Sequence, residues 1–312
     1  MDATTFFSLS DAQVAGLVRA QGPKVCVFPI NGTRRWFLLE YPPQPDDDDP
    51  LAAYVDAVEV GHIDVYRLMF DHGIDTLLTP CFGPDLLERG DDYIEMAVEG
   101  LARLATHPRF LTFYEEYGVR VRFYGDYRKY FAGTPYAYVC DLFDQLTEQT
   151  RANDRARLFF GLFANDAAET VAELAIDYYR EHGSAPDKDT IVRLYYGEEV
   201  APVDFFIGFD RFSAFDMPLI ATGNEDLYFT VAPSLYLSAE SLRRILYDHL
   251  YTRRDAEPDY AALQPADWAV MKAFYHANRN AILGIGAKQD HGGYWYPLPE
   301  VKLPDFSSES NG

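Results

Sequence analysis

Cysteine is scarce in this chain, with three in 312 residues. Cys26, Cys81 and Cys140 stand far apart and form no CxxC or Cys/His spacing, which excludes a disulfide framework and a cysteine zinc site. Reduced thiols in the interior are expected instead. Positive charge is short as well. Lys and Arg number 27 against 49 Asp and Glu, a formal net charge of -22, so nucleic acid and anionic membranes would be repelled over most of the surface. No run approaches the roughly 18 uninterrupted apolar residues of a membrane span. The first ten residues lack a basic start followed by a long apolar stretch, so no signal peptide is read. A cytoplasmic protein without stable membrane insertion is the expectation. His62, His72, His107 and His249 show no metal-ligand spacing and read as structural.

What the chain does have is hydrophobic content, 48%, over a length that can bury a full core. One domain over residues 1–303, followed by a polar tail at 304–312, is the expected organisation. Short apolar runs at 24–30, 74–79, 119–124, 156–163, 204–207 and 227–231 read as strands. Residues 51–70, 93–104, 167–180 and 238–253 carry apolar residues at three- and four-residue spacing and read as helices. Strands alternating with helices imply crossover connections. The fold class expected is therefore α/β, with a central, mostly parallel sheet of about six strands and helices on both faces. Ligands of such sheets gather beyond the carboxyl ends of the strands.

The loop after the first strand is the most informative stretch. It reads Asn31-Gly32-Thr33-Arg34-Arg35-Trp36-Phe37, a glycine permitting a tight turn and then two adjacent arginines. A guanidinium fork donates parallel hydrogen bonds to phosphate oxygens and never loses its charge, which suits a diphosphate. Two surface arginines bridging local carboxylates are the alternative. The acidic run at 46–49 lies between Pro45 and Pro50 and reads as a solvated loop ahead of a helix, not as a metal motif.

These residues resemble the first signature of the cis-prenyltransferases, Asp-Gly-Asn-Gly-Arg-Trp at the end of the first strand. The resemblance is greater to the branch of that family that forms tuberculosinol- and kolavelool-type diterpenes. It is carried by Gly32-Thr33-Arg34-Arg35-Trp36-Phe37, Arg89-Gly90-Asp91-Asp92-Tyr93-Ile94, Phe123-Tyr124-Gly125-Asp126-Tyr127, Asn165-Asp166-Ala167-Ala168-Glu169 and Tyr228-Phe229-Thr230-Val231-Ala232-Pro233-Ser234. These blocks run in order through most of the chain.

The resemblance implies an enzyme that ionises a bicyclic diterpenyl diphosphate, and a homodimer. It implies Gly32, Thr33, Arg34 and Arg35 as diphosphate binders, joined by Arg211 and Ser213 from Arg211-Phe212-Ser213-Ala214-Phe215, which is similar to the family's Arg-Leu-Ser-Asn-Phe. Tyr54 and Tyr93 match residues acting near the cation, where a phenol offers its π face or holds a water. Asp126 is either part of the family's Gly-Asp block or a turn residue at a strand end. Asn31 stands where the family carries aspartate; asparagine holds a hard cation less well and is no base at neutral pH. A metal-independent variant, a non-catalytic member and an inactivated enzyme are the readings open at that position. Asp226 falls where chain-elongating relatives place a carboxylate for magnesium, so Mg²⁺ is the cofactor the resemblance implies. Capture of the cation by water is the leading expectation. Transfer to a nucleoside, chain elongation and non-catalytic lipid binding are the alternatives. Elongation is disfavoured because Gly208-Phe209 replaces the Arg-Thr-Ser-Gly run that would bind a second diphosphate.

Overall fold

The computed structural model describes residues 1–42, 49–254, 259–290, 292–298 and 301–303. Asp46 to Asp48 of the acidic run, and the tail at 304–312, lie outside the described residues. Six strands form one sheet: β1 Val25–Val27, β2 Thr76–Phe82, β3 Val119–Tyr124, β4 Ala156–Leu162, β5 Phe205–Phe209 and β6 Asp226–Thr230. Their order is β3-β4-β2-β1-β5-β6 and every pairing is parallel. Strand β1 is shorter than its apolar run because Pro29 has no N–H to give a neighbour.

Alternating side chains sort the core to two faces. Cys26, Leu77, Val121, Leu158, Phe160, Phe205 and Ile207 pack on one side. Val25, Val27, Leu78, Tyr124, Phe159 and Phe206 pack on the other. The first face is covered by Pro50–Asp71, Asp91–Thr106, Pro108–Tyr117, Tyr138–Gln149 and Ala239–Tyr247, and the second by Ala168–His182 and Lys188–Tyr196. Burial on both faces explains why the strands read as continuous apolar runs. The expected helix at 238–253 stops at Tyr247 and continues as a wider turn over Asp248–Thr252. Among the described residues no helix is long and apolar enough to cross a membrane.

Because the sheet is parallel, every strand ends at the same edge. Connections leave β1 toward β2 on one side and β5 lies on the other, which makes the end of β1 a topological switch point. The chain there does not remain a loop, as the sequence suggested, but enters a helix, Thr33–Glu40. Gly32 caps it at φ 75°, and a Cβ at Gly32 would lie 2.8 Å from the Phe209 ring and 3.2 Å from Pro233. Both conformation and space therefore demand glycine.

The helix Pro50–Asp71 carries a half-buried histidine whose ring nitrogen is closed off. The Nε2 of His62 is shut from solvent without a hydrogen-bond partner, and burial pushes the imidazole down to about 4. The folded value lies below the unfolded one near 6.5, so native His62 stays neutral where the unfolded chain takes up a proton. Its contribution to stability is complete above pH 6.5 and is lost as pH falls toward 4. Between pH 7 and pH 5 the wild type is expected to lose about 2 kcal/mol more unfolding free energy than His62→Gln, measured by urea denaturation of both proteins at each pH. Equal losses in the two proteins would show that His62 titrates normally.

Candidate active site

A cleft of about 1880 Å³ opens beyond the carboxyl ends of β1 and β2. Its rim is formed by Asn31, Gly32, Thr33, Arg34 and Arg35, one wall by Tyr54 and Ala57, the facing wall by Arg89, Tyr93 and Met96, and its floor by Pro80, Cys81 and Phe82. The rim is polar and cationic, while much of the interior is apolar. That division suits a ligand with an anionic head and a hydrocarbon body.

The rim is held from several directions. The N–H of Asn31 donates to Ser234 Oγ at 3.0 Å, and its carbonyl accepts from the Ser234 N–H at 3.1 Å. This fixes the Asn31 backbone while its side chain stays exposed on the cleft. The helix Thr33–Glu40 starts without a side-chain cap, and its first-turn N–H groups face the same rim as its arginines. Helix N-termini and arginines attract anions for the same electrostatic reason. Arg35 lies over the Phe209 ring at 5.2 Å and pairs with Asp210 at 3.8 Å. That half-exposed pair is worth at most about 1 kcal/mol, less than a charge-assisted bond between a guanidinium and an anion.

Both tyrosines line the cleft. Tyr54 shares a hydrogen bond of 2.8 Å with Thr33 Oγ1, tying the wall helix to the rim. Burial raises its pKa, only partly offset by the Thr33 bond, so the phenol is protonated at neutral pH and can donate but not accept a proton. Tyr93 accepts from Arg89 Nη1 at 3.2 Å, and the Arg89 guanidinium lies 5.1 Å from the Tyr93 ring centroid. In the sequence Arg89 stands out only as part of the Arg89-Gly90-Asp91-Asp92-Tyr93-Ile94 block. Its value as a third cleft arginine lay in its spacing, four residues before Tyr93 across the turn at Gly90.

Other expected residues are placed elsewhere. Arg211 and Ser213 are exposed in the loop after β5, whose later residues Phe215 and Asp216 line the cleft. Asp126 caps the helix Tyr127–Phe131 after β3, accepts a hydrogen bond from Thr170 and does not line the cleft. Asp226 begins β6 and so stands at the opposite, amino edge of the sheet. There it accepts from His249 Nδ1 at 2.7 Å and faces Arg254 at 3.4 Å and Arg253 at 3.6 Å. Burial holds the His249 pKa below its ordinary value, against the pull of Asp226. The structure does not bring Asp226 to the cleft, so it is not a residue for magnesium on a diphosphate bound there. Among the described residues no cluster of three His, Cys, Asp or Glu side chains could hold a metal, and Asp216 is the one carboxylate lining the cleft.

Comparison with known proteins gives a consistent picture. No protein-family model matches the chain. It is 46% identical over 293 residues to tuberculosinyl adenosine transferase of Mycobacterium tuberculosis (strain CDC 1551 / Oshkosh), covering 93% of this chain and 96% of the relative. It is 25% identical over 289 residues to (+)-kolavelool synthase of Herpetosiphon aurantiacus, covering 90% and 91%. Among solved structures it resembles a probable undecaprenyl diphosphate synthase from Campylobacter jejuni, with TM-score 0.54, 14% identity and coverage of 75% of this chain and 97% of the other. Lavandulyl diphosphate synthase from Lavandula x intermedia, solved with dimethylallyl diphosphate, gives a TM-score of 0.52, also at 14% identity, with 75% and 97% covered. At that identity the two structures speak to the fold alone.

Proposed function

Because the chain belongs to the cis-prenyltransferase-fold family of diterpenyl diphosphate enzymes that includes tuberculosinyl adenosine transferase, we propose that it ionises a bicyclic diterpenyl diphosphate and passes the allylic cation to a nucleophile. The observation that carries this reading is the convergence of Arg34, Arg35 and a helix N-terminus on the rim of a cleft walled by Tyr54 and Tyr93. The allylic C–O bond breaks heterolytically and both electrons leave with the diphosphate. Donors aimed at the leaving oxygens stabilise the charge as it grows, so they lower the barrier and do not merely tighten binding. The rings of Tyr54 and Tyr93 present negative π faces to the cation. Arg211 and Ser213, which do not line the cleft, would meet the same diphosphate from the loop whose Phe215 and Asp216 do. Asp216 is the residue that would hold a magnesium ion carried in by the phosphates, which would add positive charge to the leaving group.

Asn31 bears on the choice of nucleophile. Water captured by a cation must lose a proton, and an asparagine side chain cannot take it at neutral pH. A ring nitrogen of adenosine donates its lone pair, forms the C–N bond and keeps the positive charge, with no proton to release. Together with the greater identity to the transferase than to the kolavelool synthase, this favours a nucleoside over water. The test is product analysis after incubating the protein with tuberculosinyl, halimadienyl and kolavenyl diphosphates, each with and without adenosine. A diterpenyl nucleoside formed only when adenosine is present is the expected result. Diphosphate release with exclusive formation of alcohols would overturn the preference for a nucleoside, and no release from any of them would overturn the reading. Pairing into a homodimer belongs to the same proposal and is checked by light scattering of the purified chain.

A further inference from the structure

The chain returns to the carboxyl edge of the sheet after its last domain helix. There β7 Gly286–Lys288 and β8 Trp295–Pro297 pair antiparallel as a hairpin. It is closed by the Gln289 N–H to the Tyr294 carbonyl at 2.8 Å and the Leu298 N–H to the Ile285 carbonyl at 2.9 Å. The Trp295 indole lies so near Gly286 that a Cβ there would sit 2.1 Å from it, which fixes the ring on the hairpin. That indole meets Phe212 edge to face, with centroids 6.5 Å apart and planes at 83°. Gly284, at φ 94°, brings backbone to the same ring, with space for a Cβ only 3.6 Å from it.

Phe212 is the residue between Arg211 and Ser213. Its other ring neighbour is Phe229 on β6, at 4.9 Å. The loop turns at two residues of positive φ, Asp210 at 68° and Asp216 at 57°, and its far end is pinned by Phe215 on Phe206 at 5.7 Å. The exposed segment with Arg211 and Ser213 thus hangs on two aromatic pegs. The core supplies one, and the hairpin completes the other. An exposed arginine on a free loop pays ordering entropy each time it engages a ligand, and a fixed loop does not.

We infer that Trp295 is a positioning residue for Arg211 and Ser213, acting through Phe212 and touching no substrate itself. This rests on the reading that Arg211 belongs to the diphosphate site. The test is calorimetric titration of inorganic pyrophosphate into the full chain as wild type, Trp295→Ala, Trp295→Phe, Arg211→Ala and the Trp295→Ala/Arg211→Ala double variant. Trp295→Ala should weaken pyrophosphate by about threefold to tenfold, and Trp295→Phe should stay within about twofold of wild type, because a ring restores the edge contact. Adding Trp295→Ala to Arg211→Ala should cost clearly less than Trp295→Ala costs alone, since part of its effect passes through Arg211 and only the part through Ser213 is left. Wild-type affinity in Trp295→Ala, or a loss that adds in full to that of Arg211→Ala, would overturn the inference while leaving the diphosphate site standing. A wild-type protein that does not take up pyrophosphate would sink the diphosphate reading and this inference together, and an Arg211→Ala protein that binds it normally would remove Arg211 from that site and this inference with it.

Discussion

Asn31→Asp is expected to raise capture of the diterpenyl cation by water about 100-fold or more, the usual scale for a general base placed within reach of its proton. The substitution exchanges an amide for a carboxylate of nearly the same volume. The Asn31 backbone is held on both sides by Ser234, so the new carboxylate keeps its position on the cleft rim. The melting temperature should therefore stay close to that of the starting protein. Transfer to adenosine needs no proton acceptor at the capturing atom and should change far less. Measured side by side, the ratio of alcohol to nucleoside product should shift strongly toward alcohol. An unchanged ratio would show that position 31 does not reach the captured water. An alcohol rate already high with asparagine would show that another group takes the proton.

Arg35→Ala should weaken inorganic pyrophosphate by about tenfold to 100-fold, the loss of one charge-assisted guanidinium contact worth about 1.5 to 3 kcal/mol. Arg34→Ala should behave alike, because both project from the first turn of the same helix onto the same rim. In turnover the effect should fall on kcat as well as KM, since the arginines meet more charge on the departing diphosphate than on the bound substrate. Asp210→Asn provides the control. It removes the partner that holds Arg35 in the free protein, so pyrophosphate binding should tighten, though by no more than about fivefold given the small worth of an exposed pair. Normal pyrophosphate affinity in both arginine variants would refute the rim as the diphosphate site.

Much of the fold was legible because strands buried on both faces leave a continuous apolar mark, and all six strand runs became strands of one parallel sheet. Several helices left a weaker trace. The segment at 33–40 reads as a loop because only Phe37 in it is buried, so no apolar stripe marks it; the glycine before it was the available signal. The helix Pro265–Asn278 has no buried residue, and neither it nor the hairpin after it was read from periodicity. Asp226 was decipherable in principle. It precedes the apolar run at 227–231, and a residue that opens a parallel strand must stand at the amino edge, away from the ligand edge.

Sequence alone determined the class of sheet and the chemistry of the rim. Side-chain alternation and the order Gly32-Thr33-Arg34-Arg35 are local properties, and local properties survive translation into structure without knowledge of distant contacts. Only tertiary structure decided which residues share the cleft. Tyr54 meets Thr33 from the following helix, Phe215 and Asp216 join the cleft from the loop after β5, and Trp295 reaches Phe212 from near the far end of the chain. The physical reason is that parallel strands bring the ends of distant segments to one edge, and which of those ends converge depends on strand order, which no local pattern encodes.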